Sequence, residues 1–126
     1  MKLNLGILED LFTIHRLSLK SEIPDQVFQG LFYSISKTDE ELSVVCPSSV
    51  SLNSEKSETG WACIKVLGPL DFSLTGILAE ISAVLAKAEI SIFAISTFDT
   101  DYILVKSENL QAAKKALQLA EHIFKN

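Results

Sequence analysis

The chain has 126 residues, 48% of them hydrophobic and 21% charged, with a formal net charge of -5. That length and apolar content support a packed core without disulfide or metal staples. The acidic balance, with no basic cluster larger than the pair Lys114 and Lys115, excludes the phosphate-binding footprint of a nucleic-acid protein.

Glu9 and Asp10 lie close behind Met1, so no charged-then-apolar signal pattern opens the chain, and no apolar run approaches the length of a membrane span. A cytoplasmic protein with no membrane partner is expected. Cys46 and Cys63 sit far apart inside apolar runs, which predicts buried, reduced thiols and no metal site.

The string LFTIHRL, beginning at Leu11, reads as an opening strand, and only a stubby helix fits near residues 24–30. Residues 31–36 and 42–46 then read as two strands flanking a turn at 37–41. After Cys46 comes PSSVSLNSEKSETG, a polar, Ser-rich stretch that reads as a connector standing where a second helix would be. A second series follows: a strand over 61–67, a helix over 75–88, strands over 90–97 and 101–106, and a helix over 109–124. In the first helix Ile77, Leu78, Ile81, Val84, Leu85 and Ala88 fall at helical spacing; in the last, Leu110, Ala113, Leu117 and Ala120 do so, with Ser107 as the expected N-cap. The strand over 90–97 alternates with a period of two, and the Asp-rich connection at Phe98 to Asp101 suits a turn that bonds its own backbone.

These two series are related. FYSISKTDEELSVV, beginning at Phe32, lies without gaps over IFAISTFDTDYILV, beginning at Ile92, at an offset of about 60 residues. Upstream, LFTIHRL lies over WACIKVL, beginning at Trp61. The expected organisation is therefore two modules, 1–59 and 60–126, the first abbreviated. Because the first cannot bury its sheet alone, the two are expected to pack as one compact unit.

Chemistry-bearing residues are sparse. No nucleophile with a base, no carboxylate pair and no metal-ligand set is placed to converge, so catalytic residues and cofactors are not expected. His15 lies within a strand pattern, and His122 is expected in the last turn of the final helix, where a cationic group suits the helix dipole. Asp99 and Asp101 bracket a turn, which leaves two readings open: turn chemistry, or an acceptor for a ligand amine. The segment GPLDFSLTGIL, beginning at Gly68, joins a strand to a helix with Gly76 in the first turn. Unpaired N–H groups gather at such a point and suit an anion. The glycine serves either close ligand approach or close helix packing. Neither a phosphate-binding P-loop nor a dinucleotide fingerprint is present.

The strings GPLDFSLTGIL, ISIFAISTFDTDYILV and TDEELSVVC resemble the bacterial ACT-domain proteins related to the CASTOR-type amino-acid sensors, over nearly the whole chain. The resemblance implies an α+β fold of two ferredoxin-like, βαββαβ-type ACT modules in tandem, with effector amino acids held at module interfaces. It implies that Asp71, Phe72, Ser73, Leu74, Thr75, Gly76 and Ile77 form the ligand loop. Thr97, Phe98 and Asp101 flank it, with Asp101 accepting a ligand amine, and Ser91 and Ile92 are presented across the interface by an opposing module. Where arginine-binding relatives carry an acidic loop residue this chain has Leu74, which favours an apolar or small amino acid over arginine. A homodimer with ligand at its interface is the expected assembly. The main alternative is an oligomerisation or protein-interaction module whose loop no longer binds a ligand; an enzyme ranks third.

Overall fold

The computed structural model describes residues 1–68 and 76–126. In chain order the elements are β1 (Asn4–Ile7), β2 (Phe12–Leu17), α1 (Asp25–Phe28), β3 (Ser34–Lys37), β4 (Leu42–Pro47), β5 (Lys56–Val66), α2 (Ile77–Lys87), β6 (Phe93–Ser96), β7 (Asp101–Lys106), α3 (Leu110–Leu119) and β8 (Ile123–Phe124). They fall into two units, Asp10–Trp61 and Met1–Glu9 with Ala62–Asn126. Repeat spacing puts the division between residues 59 and 60 and leaves the N-terminal segment in the first half, whereas here the first nine residues belong to the second unit.

In the first unit β3, β4, β2 and the beginning of β5 pair antiparallel in that order. Leu42, Val44 and Cys46 alternate along β4 and bury one face with Leu17 and with Val27 of α1, the period of two that a half-covered strand requires. Since α1 is a single turn, the Ser-rich connector completes the cover. Val50 and Leu52 pack against the core, the Ser48 and Thr13 hydroxyls lie 2.8 Å apart, and the Ser54 hydroxyl bonds His15 Nδ1. The last part of that connector is not loop as expected. Lys56, Ser57 and Glu58 pair with Arg16, His15 and Ile14, because main-chain pairing needs no apolar side chain. The extra residue near Gly60, whose φ is +76°, shifts the β2–β5 register between Phe12 and Ile14, as a glycine bulge does.

His15 is 6% exposed, and its Nε2 is buried with no hydrogen-bond partner among the described residues. Burial pushes the imidazole below its ordinary 6.5, because the charged ring would lose hydration that nothing replaces. The unfolded chain therefore takes up a proton here before the folded one does. Stability contributed by neutral His15 is fully present above the ordinary value and is lost as pH falls through 6.5 toward the lower folded value. Urea denaturation across pH 7.5 to 5 should show a steeper loss in the wild type than in His15→Gln; parallel pH profiles would refute this.

In the second unit, β1 pairs antiparallel with β5 and parallel with the short β8, while β7 pairs with β5 and β6. Leu5, Ala62, Ile64, Val66, Ile103 and Val105 meet Ile77, Ile81 and Leu85 of α2 and Ala113 and Leu117 of α3. The i, i+4 spacing of these helical residues lines one face of each helix. Both cysteines are buried and free. Burial raises both thiols, Cys63 to about 12, so they remain protonated and unreactive at neutral pH.

Both long helices stop in the same way. Beyond α2, Glu89 takes φ +62°, with Glu89 N–H donating to Ala86 and Ile90 N–H to Leu85. Beyond α3, Glu121 takes φ +74°, with Glu121 N–H donating to Gln118 and His122 N–H to Leu117. This paired pattern is the Schellman motif, which turns the following residue back onto the helix. It ends α3 at Leu119, shorter than the expected 109–124, and begins β6 only at Phe93, because Ile90 is folded into the core. Ser107 is not the N-cap: a 3-10 turn spans Ser107–Asn109, and Asn109 holds the cap position without a side-chain bond. His122 is not in the last turn of the helix but three residues beyond the end of α3. It is 2% exposed, its Nδ1 accepts the Leu3 N–H at 3.1 Å, and its Nε2 lies 3.2 Å from Glu80 Oε2.

Candidate functional site

The β6–β7 hairpin is the best-defined part of the site expected from sequence. Phe93 pairs with Leu104, and the ladder closes at Ser96 opposite Asp101. The turn between them is held by threonine, not by aspartate as expected. Thr97 N–H donates to the Thr100 carbonyl at 2.8 Å, and the Thr97 hydroxyl lies 3.1 Å from the same carbonyl. Thr100 is 6% exposed, and its hydroxyl donates to the Val66 carbonyl. That bond ties the tip of the hairpin to the end of β5, where the chain leaves the sheet toward residue 69.

Asp101 is therefore a strand residue with a defined environment. The Ser96 hydroxyl donates to Asp101 Oδ1, while Oδ2 has no partner among the described residues. A carboxylate held at one oxygen and open at the other is oriented to accept an ammonium group. Phe98, at the tip, is 81% exposed, and Asp99 is exposed beside it.

On the other side of residues 69–75, Gly76 is the N-cap of α2 with φ +80° and ψ 10°, and among the described residues no side chain caps the helix. A Cβ built on Gly76 meets nothing within 4 Å, so among the described residues close packing does not explain the glycine. Its backbone conformation does. Gly76→Ala should lower stability by about 1 kcal/mol through left-handed strain, read from the urea midpoint, with Gly76→Asn costing less. An unchanged alanine variant would show that the segment relaxes freely.

Ile77 is 6% exposed and packs in the core, so only its backbone is available to a ligand. Ser91 is exposed, and Ile92 leans on the core. These two precede β6, whereas Thr97, Phe98 and Asp101 follow it or lie across its end. At about 3.3 Å per residue, four strand residues separate the two groups by more than the span of one small ligand. The candidate residues of one chain are thus not all brought together. Asp71, Phe72, Ser73, Leu74 and Thr75 lie outside the described residues. Ser96 and Thr100, which fix the hairpin, were not singled out from the sequence; the Ser36 and Ser96 repeat match was the available signal for the first.

The two hairpins also differ where chemistry would matter. Thr38 N–H donates to the Glu41 carbonyl at 2.9 Å, repeating the role of Thr97. Structural equivalence is thus one residue out of step with the sequence match, and buried Leu42, paired with Lys37, stands where Asp101 stands in the second hairpin. No equivalent acidic acceptor occurs in the first.

A profile of the ACT domain matches residues 56–118, half of the chain. This chain belongs to the ACT-domain family. A second profile, of an N-terminal domain family, matches residues 10–50 of the same ACT-domain chain. An X-ray structure of a protein from Agrobacterium tumefaciens is 37% identical, with a TM-score of 0.90, and the match covers 98% of this chain and 92% of that one. The proteins named "Cytosolic arginine sensor for mTORC1 subunit 1" from Homo sapiens and Bos taurus are 37% identical over 81 residues. That match covers 64% of this chain and 24% of theirs, so the ACT-domain chain aligns with about a quarter of their length. The regulatory subunit of aspartate kinase from Thermus thermophilus shares the fold, with a TM-score of 0.65 at 13% identity, covering 92% of this chain and 95% of that one. Among the described residues no helix is long and apolar enough to cross a membrane, and no three His, Cys, Asp or Glu side chains form a group able to hold a metal.

Proposed function

We propose that this chain is a regulatory, non-enzymatic module that binds a free amino acid at its ACT domain. The observation that carries the reading is the Asp101 carboxylate, held by Ser96 at one oxygen and open at the other, on a hairpin that Thr100 fastens to the end of β5. The ligand ammonium meets Asp101, and its carboxylate meets backbone N–H groups at the start of α2, where Gly76 is the N-cap. Similarity to proteins named as arginine sensors supports an amino-acid effector. Leu74, in place of an acidic loop residue, supports an apolar or small side chain over a guanidinium.

The distance between Ser91 or Ile92 and the Thr97–Asp101 hairpin supports a site completed by a second copy, giving a homodimer whose stability rises with occupancy. The rival reading, an interaction module with no ligand, draws no support from close packing at Gly76, where a Cβ meets nothing within 4 Å among the described residues. A thermal-shift screen of the purified protein against the twenty amino acids tests the proposal. Selective stabilisation is expected, by about 2.7 kcal/mol at a hundredfold excess over Kd. No response to any of them would favour the interaction module.

A further inference from the structure

We infer that the first unit carries a second small-molecule pocket, selective for a protonated amine attached to an aliphatic or aromatic body. A cavity of about 660 Å³ opens between the α1 turn and the connector, within the roughly 300–1,000 Å³ typical of small-ligand sites. All its lining residues fall within Asp10–Trp61, so it shares none with the hairpin of the second unit. Asp10 is the one charged side chain in that lining, and no cation is there to neutralise it.

The polar groups around Asp10 are uncommitted. Gln26 and Gln29, three apart and so on one side of the α1 turn, line the cavity together with Ser49. Among the described residues none of these side chains, nor the Asp10 carboxylate, makes a hydrogen bond or ion pair within the protein. Opposite polarity comes from Val50 and from Leu31, the latter fully exposed. One anionic acceptor, several neutral hydrogen-bonding groups and an apolar wall together match a monocationic amine. They disfavour an anion, which would meet Asp10 unscreened.

An NMR titration of the full-length protein at pH 7 with phenethylamine and butylamine, against phenethyl alcohol and butanol, tests this. The amines should move the backbone amides of Gln26, Gln29, Gly30, Ser49 and Val50 in a saturable way, and the alcohols should not. Asp10→Asn, an exposed and conservative change, should weaken amine binding by about tenfold, the loss of one charge-assisted contact. Gly30→Leu, which puts a side chain into the lining beside Pro47, should weaken it further. Asp101→Ala should leave it unchanged, which separates this pocket from the proposed effector site whether or not that site binds amino acids. Shifts confined to Thr97–Asp101, equal binding of the alcohols, an unaffected Asp10→Asn variant, or no saturable shift would each overturn the proposal.

Discussion

Replacing His122 with alanine should lower the unfolding free energy by about 3 kcal/mol, among the largest losses expected from one substitution in this chain. The imidazole is 2% exposed. It accepts the Leu3 N–H through Nδ1, which leaves Nε2 to donate to Glu80; the two contacts together define one tautomer. Alanine leaves the Leu3 N–H without its acceptor, at about 1–3 kcal/mol, and opens a void whose cost adds to it. The effect should be local as well as global, because the Ile123 N–H donates to the Leu3 carbonyl and the Lys125 N–H to Leu5. Amide exchange at Ile123 and Lys125 should therefore accelerate more than at Ile64 or Val66. His122→Gln, whose side-chain oxygen can accept the Leu3 N–H, should recover part of the loss. A urea midpoint in His122→Ala corresponding to less than about 1 kcal/mol would show that water replaces the ring without penalty.

Asp101→Ala should reduce the thermal response to whichever amino acid stabilises the wild type by about half or more at a hundredfold excess over the wild-type Kd, while leaving ligand-free stability nearly unchanged. The carboxylate is half-buried and bonded within the protein to Ser96, an exposed residue, so its removal opens no core cavity. A charge-assisted bond to a ligand ammonium is worth about 1.5–3 kcal/mol, which corresponds to roughly a 10- to 150-fold weaker Kd. Asp101→Asn separates charge from shape: its amide oxygen can still accept from Ser96, but the charge that meets the ammonium is gone, so an intermediate to complete loss is expected. Titrations in which Asp101→Ala and wild type give the same midpoint would remove Asp101 from the site and with it the main support for the effector geometry.

The helices and hairpins were legible because their signals are local. Ile77, Ile81 and Leu85 mark one face of α2 by spacing alone, and the repeat of FYSISKTDEELSVV in IFAISTFDTDYILV announces two hairpins. Their turn chemistry was less legible: Asp99 and Asp101 drew attention as turn residues, yet Thr38 and Thr97 close the turns. The end of α3 is not legible in the sequence because Glu121, where a glycine would mark the stop, adopts the left-handed conformation. Non-glycine residues pay for that conformation only when the surrounding packing compensates.

By itself the sequence determined the ACT-type αβ pattern, the buried cysteines and the presence of two related hairpins, whereas the absence of an acidic counterpart to Asp101 in the first hairpin follows only from the strand register. Local periodicity and composition suffice for the pattern, the cysteines and the hairpins, since each depends on neighbours a few residues away. Only the tertiary structure decided that residues 1–9 join the second unit through β1, that His122 is a buried linchpin of that junction, and that Ser96 orients Asp101. Such pairings join residues far apart in the chain, or across a hairpin whose register is one residue out of step with the repeat. They arise from burial, as for His122 and Leu3, or from strand register, as for Ser96 and Asp101, and no window of sequence contains either.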